Sequence, residues 1–230
     1  MLKKLLTPIF SILFCSVLAA KEKKDTSYLP DEYYYTLGND LPVYSGRLFL
    51  GYASNIKGSP YIPETGWSSG SVLYNNIWYK MSNLKLDVHT RELIIQTPAQ
   101  FSIIPSGYRI SSFILGERKF LRIDSTTRSV AKAGFYEILL DGPLKVLAWR
   151  TATLEQKIEQ LTLEYEFLRK DEFFLQKNGQ LIKIVSKRDV YEPLKDKKKL
   201  IKKTLKPLGL SFKKNKELLL LKAVETYNQN

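Results

Sequence analysis

Apolar and polar positions alternate in short runs along this chain, and the densest apolar stretch lies past its middle. Residues 134–150 read GFYEILLDGPLKVLAWR. Phe135, Ile138, Leu139 and Leu140 lead into Asp141-Gly142, and Leu144, Val146, Leu147 and Trp149 lead out. Asp-Gly between two apolar runs predicts a β-hairpin, because the turn needs positive φ and glycine supplies it without strain. Pro143 cannot donate to a ladder, which places it at the start of the second strand. With nearly every position apolar, the hairpin is expected to be buried on both faces, with the neighbouring segments packed around it.

Upstream, 47–52 (RLFLGY) is predicted as the first core strand, and 53–70, rich in Gly, Pro and Ser, as a long surface connection. Three short strands are expected at 71–74, 77–81 and 84–88, with Asn75-Asn76 turning between the first two. Runs at 93–97 and 101–104 flank Pro98, 109–115 and 119–123 pair around Gly116-Glu117, and 124–133 is a polar loop. Residues 151–168 are ambiguous. Glu155, Gln156 and Lys157 favour a helical turn, whereas 162–167 alternates, so only the second half is assigned to a strand. Lys177-Asn178-Gly179 joins 172–176 to 180–185 as an Asn-Gly hairpin. Short strands punctuated by turn residues predict a mainly β chain, an antiparallel sandwich or barrel-like domain over 38–185.

The period changes at Ser186. Leu200, Ile201, Leu205 and Leu208, then Leu220, Leu221, Val224 and Tyr227, fall at helical spacing. Asp196 and Asn215 suit N-caps, Pro207 with Gly209 separates two helices, and Ser186 caps a shorter helix running toward Pro193. Short isolated helices are marginal in water. Residues 186–230 are therefore expected to form a small C-terminal α-helical appendage docked on the β domain. That leaves Lys197, Lys198, Lys202, Lys203, Lys206, Lys213 and Lys214 outward.

Charge sharpens this picture. The 230 residues carry +13, and thirteen Lys or Arg against five Asp or Glu put +8 of it in 186–230. At the other end, Lys3-Lys4 precede an apolar run over 5–18 that closes on Val17-Leu18-Ala19. This is the pattern of a secretory signal peptide over 1–20, with Ala20 or Lys21 as the new N-terminus and a polar, mobile leader over 21–37. The run is short for a membrane span, and no transmembrane span is expected in the mature chain. Cys15, the single cysteine, follows Phe14 rather than a small residue, so it reads as part of the signal and not as a lipidation site.

Three segments together carry a resemblance: GSVLYNNIWYKMSNLKLDVHTRELI (70–94), GFYEILLDGPLKVLAWRT (134–151) and FFLQKNGQLIKIVSKRDVYEPLKDKKKLIKKTLK (173–206). They resemble, in matching order over 38–227, a group of uncharacterised exported proteins of the Bacteroidota. Leu86 stands where that group has the Tyr of a Tyr-Asp pair, with Asp87 retained. The resemblance implies an exported protein of the periplasm or outer-membrane periphery. It supplies no catalytic residue.

The candidate chemistry is sparse. Gly66-Trp67-Ser68-Ser69-Gly70 matches G-x-S-x-G but lacks the strand-to-helix setting of a nucleophile elbow, and reads as an aromatic Gly/Ser loop. Three S-x-x-K matches, starting at Ser54, Ser82 and Ser211, have no companion motif. With His89 the only histidine and no cysteine after cleavage, neither a metal nor another cofactor is expected. Carboxylate pairs stand at Glu164/Glu166, on one strand face, and at Asp171/Glu172, though acidic residues on exposed strand faces are far commoner than hydrolytic pairs. The alternative activity is an envelope glycan or polymer hydrolase whose carboxylates the sequence does not identify. Exposed aromatics, with Tyr61, Trp67 and Trp78 as candidates, suit sugar rings or a protein surface, though core packing explains most of them. Lys198, Lys202 and Lys206 are the candidates for electrostatic binding. Export removes nucleic acid as their partner and leaves an envelope protein, a glycan or an anionic lipid surface. Asp124-Ser125-Thr126 resembles an acceptor pattern for O-glycosylation at Ser125 in exported Bacteroidota proteins. The leading expectation is a non-catalytic binding or accessory protein of the cell envelope. A structural subunit of an envelope assembly is the third reading.

Overall fold

Alternation of side chains along paired strands shapes this molecule, seen in a computed structural model that describes residues 27–124, 132–159 and 162–229. A short helix α1 (Asp31–Leu37) is followed by β1 (Gly46–Leu48), β2 (Tyr61–Ile62), β3 (Ser68–Tyr74), β4 (Ile77–Asp87), β5 (Glu92–Gln96) and β6 (Ser102–Pro105). Then come β7 (Ile110–Leu115), β8 (Arg118–Ile123), β9 (Gly134–Leu140), β10 (Leu144–Trp149), β11 (Ala152–Glu159), β12 (Thr162–Arg169), β13 (Glu172–Lys177) and β14 (Gln180–Ile184). Three helices end the chain: α2 (Lys187–Tyr191), α3 (Lys198–Leu205) and α4 (Lys216–Gln229). The chain is mainly β with C-terminal helices, as its pattern predicts.

Twelve strands form one antiparallel sheet in the order β1-β6-β5-β4-β3-β7-β8-β9-β10-β13-β14, with β2 on β4, while β11 and β12 pair separately. The predicted hairpin occupies the interior of the second half, β10 lying between β9 and β13. Its residues divide by parity. Leu144, Val146 and Ala148 join Phe173, Leu175 and Ile184 on one face, and Leu147 and Trp149 join Tyr136 and Phe174 on the other. Both faces are buried, which is what a run with few polar positions requires.

The first of these faces is covered by the tail. Val190, Leu194, Ile201, Leu205, Leu219, Leu220, Ala223 and Val224 all pack into it. A separate apolar cluster fills the first half of the sheet, from Leu41 and Val43 through Val72, Leu84 and Ile95 to Phe113 and Phe135. Between the two clusters, on the strand that joins them, sits Glu137, only 5% exposed. Its carboxylate accepts hydrogen bonds from Arg118 and Arg150, and Arg150 also donates to Asp171 and to Glu217 of α4. A charged bolt thus joins sheet, β12–β13 turn and tail.

Several expectations need correction. β4 is one strand of eleven residues, not two, because the polar Ser82-Asn83 step forms a bulge opposite Ser69 rather than a break. Residues 152–159 are strand, not helical turn, because their full-length ladder to β12 outweighs the local preference of Glu155–Lys157. The stretch 47–52 is not a core strand. Only β1 pairs, at the sheet edge, and Leu50 is 88% exposed. From Ser27 onward the expected leader is docked: Leu29 donates to Trp78 O, and α1 packs Tyr34 and Leu37 against the first cluster.

Candidate functional site

The groove that gathers the candidate lysines is built from two turns of sequence logic. Ser186 and Asp189 start α2, Asp189 Oδ2 accepting the Ser186 N–H at 2.7 Å, as the predicted cap requires. Val190 and Tyr191 then turn inward, and Lys187 and Arg188 are left at the surface. In α3, Ile201 and Leu205 bury one stripe, so Lys198, Lys202 and Lys206, at i, i+4 and i+8, line up along its flank. Gly209, at φ 58°, ends the following turn and swings the chain toward α4.

These pieces enclose a groove of about 680 Å³ lined by Lys187, Arg188, Lys198, Lys202 and Lys206, with Tyr191, Leu205, Leu210 and Leu219 among its apolar wall. Glu192 is its single acidic residue. The ion pairs that involve the tail are Arg150–Glu217 and Lys222–Glu225, so the five groove cations make none among the described residues. Lys202 Nζ rests 5.8 Å from the centre of the Tyr191 ring, whose hydroxyl pKa is raised by burial. Five like charges around one concavity repel each other, and a bound anion relieves that repulsion. The arrangement can hold a phosphate or carboxylate group with an apolar stem against Tyr191 and the leucines.

Three tail residues behave otherwise than expected. Lys197 does not point outward. Its ammonium donates to Tyr227 O at 3.1 Å and lies over the Tyr227 ring, satisfying the end of α4. Asp196 is not the N-cap of α3, since a short 3₁₀ turn over Lys195–Lys197 intervenes. Leu200, expected to be covered, is 40% exposed, because one residue from Ile201 turns it roughly 100° off the buried stripe.

The aromatic candidates divide. Tyr61 and Trp67 meet around an unforeseen residue, Lys85, whose Nζ stands 4.6 Å and 4.5 Å from the two ring centres. Burial lowers the Lys85 pKa, and burial with the Asp87 charge pushes Tyr61 up to about 12. Trp78 lies apart from them and is stacked under Tyr28 at 5.8 Å. Ser125 lies outside the described residues.

The hydrolase signals receive no catalytic geometry. Ser68 starts β3, and its hydroxyl donates to Ser69 O at 3.2 Å. His89 Nδ1 lies 3.0 Å from Ala152 O, and the buried Asp87 accepts the Tyr52 hydroxyl and the His89 and Thr90 amides. Glu164 and Glu166 pair with Lys57 and Lys157. For Glu137, burial opposes the charge, but hydrogen bonds from Arg118 and Arg150 outweigh it and hold its pKa below the usual carboxylate range. That is the opposite of a general acid. Among the described residues, no group of three or more His, Cys, Asp or Glu is placed to hold a metal, and no helix is long and apolar enough to cross a membrane.

Sequence reasoning found three of the groove's five cations and missed Lys187 and Arg188. Their signal was present in the capping pattern at Ser186, which fixed a short helix but not what it would face. Compared with family models, curated proteins and solved structures, the chain matches none.

Proposed function

We propose that this chain is an exported, non-catalytic binding protein of the cell envelope whose working surface is the basic groove, and that the groove takes an anionic lipid headgroup. The observation that carries the reading is the row Lys198, Lys202 and Lys206 facing Lys187 and Arg188 across an apolar floor. Tyr191, Leu205, Leu210 and Leu219 give that row an apolar wall for an acyl stem, the combination of charge and apolar contact used by interfacial sites. Export rests on the N-terminal pattern and on the resemblance, and an intact mass starting at Ala20 or Lys21 supports it. A retained N-terminus or a lipid on Cys15 contradicts cleavage at that site to a soluble mature chain.

The test of the groove is co-sedimentation with vesicles. The chain is expected to pellet with phosphatidylcholine vesicles containing phosphatidylglycerol and not with phosphatidylcholine alone, and to be released as salt rises. Lys198→Glu, Lys202→Glu and Lys206→Glu together abolish pelleting without lowering the melting temperature. Equal binding to neutral vesicles, or undiminished binding by the triple variant, refutes the reading.

A further inference from the structure

A second groove is centred on the bulge in the first half of the sheet. Pairing between β3 and β4 runs regularly from Tyr74/Ile77 to Gly70/Met81, then Ser69 faces both Ser82 and Asn83 before register resumes at Ser68/Leu84. A bulge interrupts the ladder and re-aims its side chains, and such bulges concentrate beside functional sites. Around this one lie two hollows of about 530 and 310 Å³ that share Tyr34, Lys80 and Ser82.

Their chemistry differs from that of the basic groove. The charges cancel, since Lys80 pairs with Asp31 at 2.8 Å. Otherwise the polar lining is neutral, made of hydroxyls and carboxamides. Asn83 Nδ2 donates to Gln96 Oε1 at 2.8 Å, which leaves Asn83 Oδ1 as an acceptor and Gln96 Nε2 as a donor on one locked amide pair. Tyr34 is fixed by the Lys80 N–H, which donates to its hydroxyl at 2.6 Å. Beside it Tyr35, also lining the groove, is 90% exposed.

A free aromatic face in one hollow and a paired acceptor and donor in the adjoining one, without net charge, suit successive pyranose rings of a chain that spans both. The C–H face of one sugar stacks on the aromatic ring, and neighbouring hydroxyls of the next each give and take a hydrogen bond. We infer that the bulge-centred groove binds a neutral oligosaccharide, with Tyr35 as the stacking platform and the Asn83–Gln96 pair reading adjacent hydroxyls. This is independent of the basic groove and of its ligand.

The experiment is calorimetric titration of the chain with cellotetraose, chitotetraose and maltotetraose in turn. At least one is expected to bind saturably in the millimolar range or tighter, with no loss in high salt and none in the Lys198→Glu, Lys202→Glu, Lys206→Glu variant. Tyr35→Ala, at a side chain too exposed to carry stability, weakens that binding about tenfold or more. Asn83→Ala does the same, read alongside its melting temperature. Absence of saturation with all three sugars, binding that falls with salt, or full affinity in Tyr35→Ala overturns the proposal.

Discussion

Replacing Glu137 by Gln removes one charge from the buried cluster that ties the two apolar cores to the tail. Glu137 Oε1 receives Arg118 Nε at 2.6 Å, and Oε2 receives Arg118 Nη2 and Arg150 Nε, each at 2.7 Å. Removing one partner of a buried pair costs about 3–5 kcal/mol, because the other charge is left desolvated. Here the Arg118 side chain, 37% exposed, turns to water, and Arg150, 12% exposed, keeps Asp171 and Glu217. The loss therefore falls at the lower end, about 3 kcal/mol. For a chain of this size that lowers the melting temperature by about 6–12 °C at pH 7. The pH dependence follows from the depressed folded-state pKa of Glu137. Its stabilisation is present above the unfolded value of about 4.3 and is lost as pH falls from there through the folded value. Wild-type and variant melting curves, followed by circular dichroism, should converge in that acid range. A variant within about 1 kcal/mol of wild type at pH 7, or a gap unchanged on acidification, refutes the bolt.

Two further outcomes test the docking of the tail. Ending the chain at Val185 uncovers Leu144, Val146, Phe173, Leu175 and Ile184. At about 1.5–3 kcal/mol for each large side chain, this rivals the whole stability of a domain, so no cooperative melt is expected, and an unchanged melting temperature would make the tail an independent arm. Within the tail, Leu220→Ala at a fully buried site should cost about 2–5 kcal/mol in urea unfolding, whereas Leu200→Ala should stay within about 0.5 kcal/mol. Equal costs would contradict the helix register.

Much of the β architecture is legible locally. Asn75 and Asn76 at φ 50° and 66°, and Asn178 and Gly179 at φ 50° and 78°, sit in the tight turns their residue types announce. The both-sides burial of β9 and β10 follows from composition alone. What escaped the sequence depends on partners distant along the chain. Glu137 looked like one polar residue in an apolar run, and only the fold brings Arg118, Arg150, Asp171 and Glu217 to it. Residues 152–159 have no strong strand signal until they meet 162–169 in register. The same holds for the sites. The row at Lys198, Lys202 and Lys206 is a matter of helical period, but its opposition to Lys187 and Arg188 is set by the turns between α2 and α3. In sequence the polar Ser82-Asn83 step looks like a gap between strands, where the fold keeps one strand through a bulge beside a groove.

The central claim, a basic groove occupied by an anionic lipid in the envelope, is tested most directly inside the cell. Leu210, at the groove wall, is replaced by a photoreactive benzoylphenylalanine in the full chain, and the native cells are illuminated before the protein is purified and weighed. The account predicts an adduct with the mass of a phospholipid, lost when Lys198, Lys202 and Lys206 are changed to Glu. An adduct with a protein instead, or no adduct on a folded and exported chain, contradicts it.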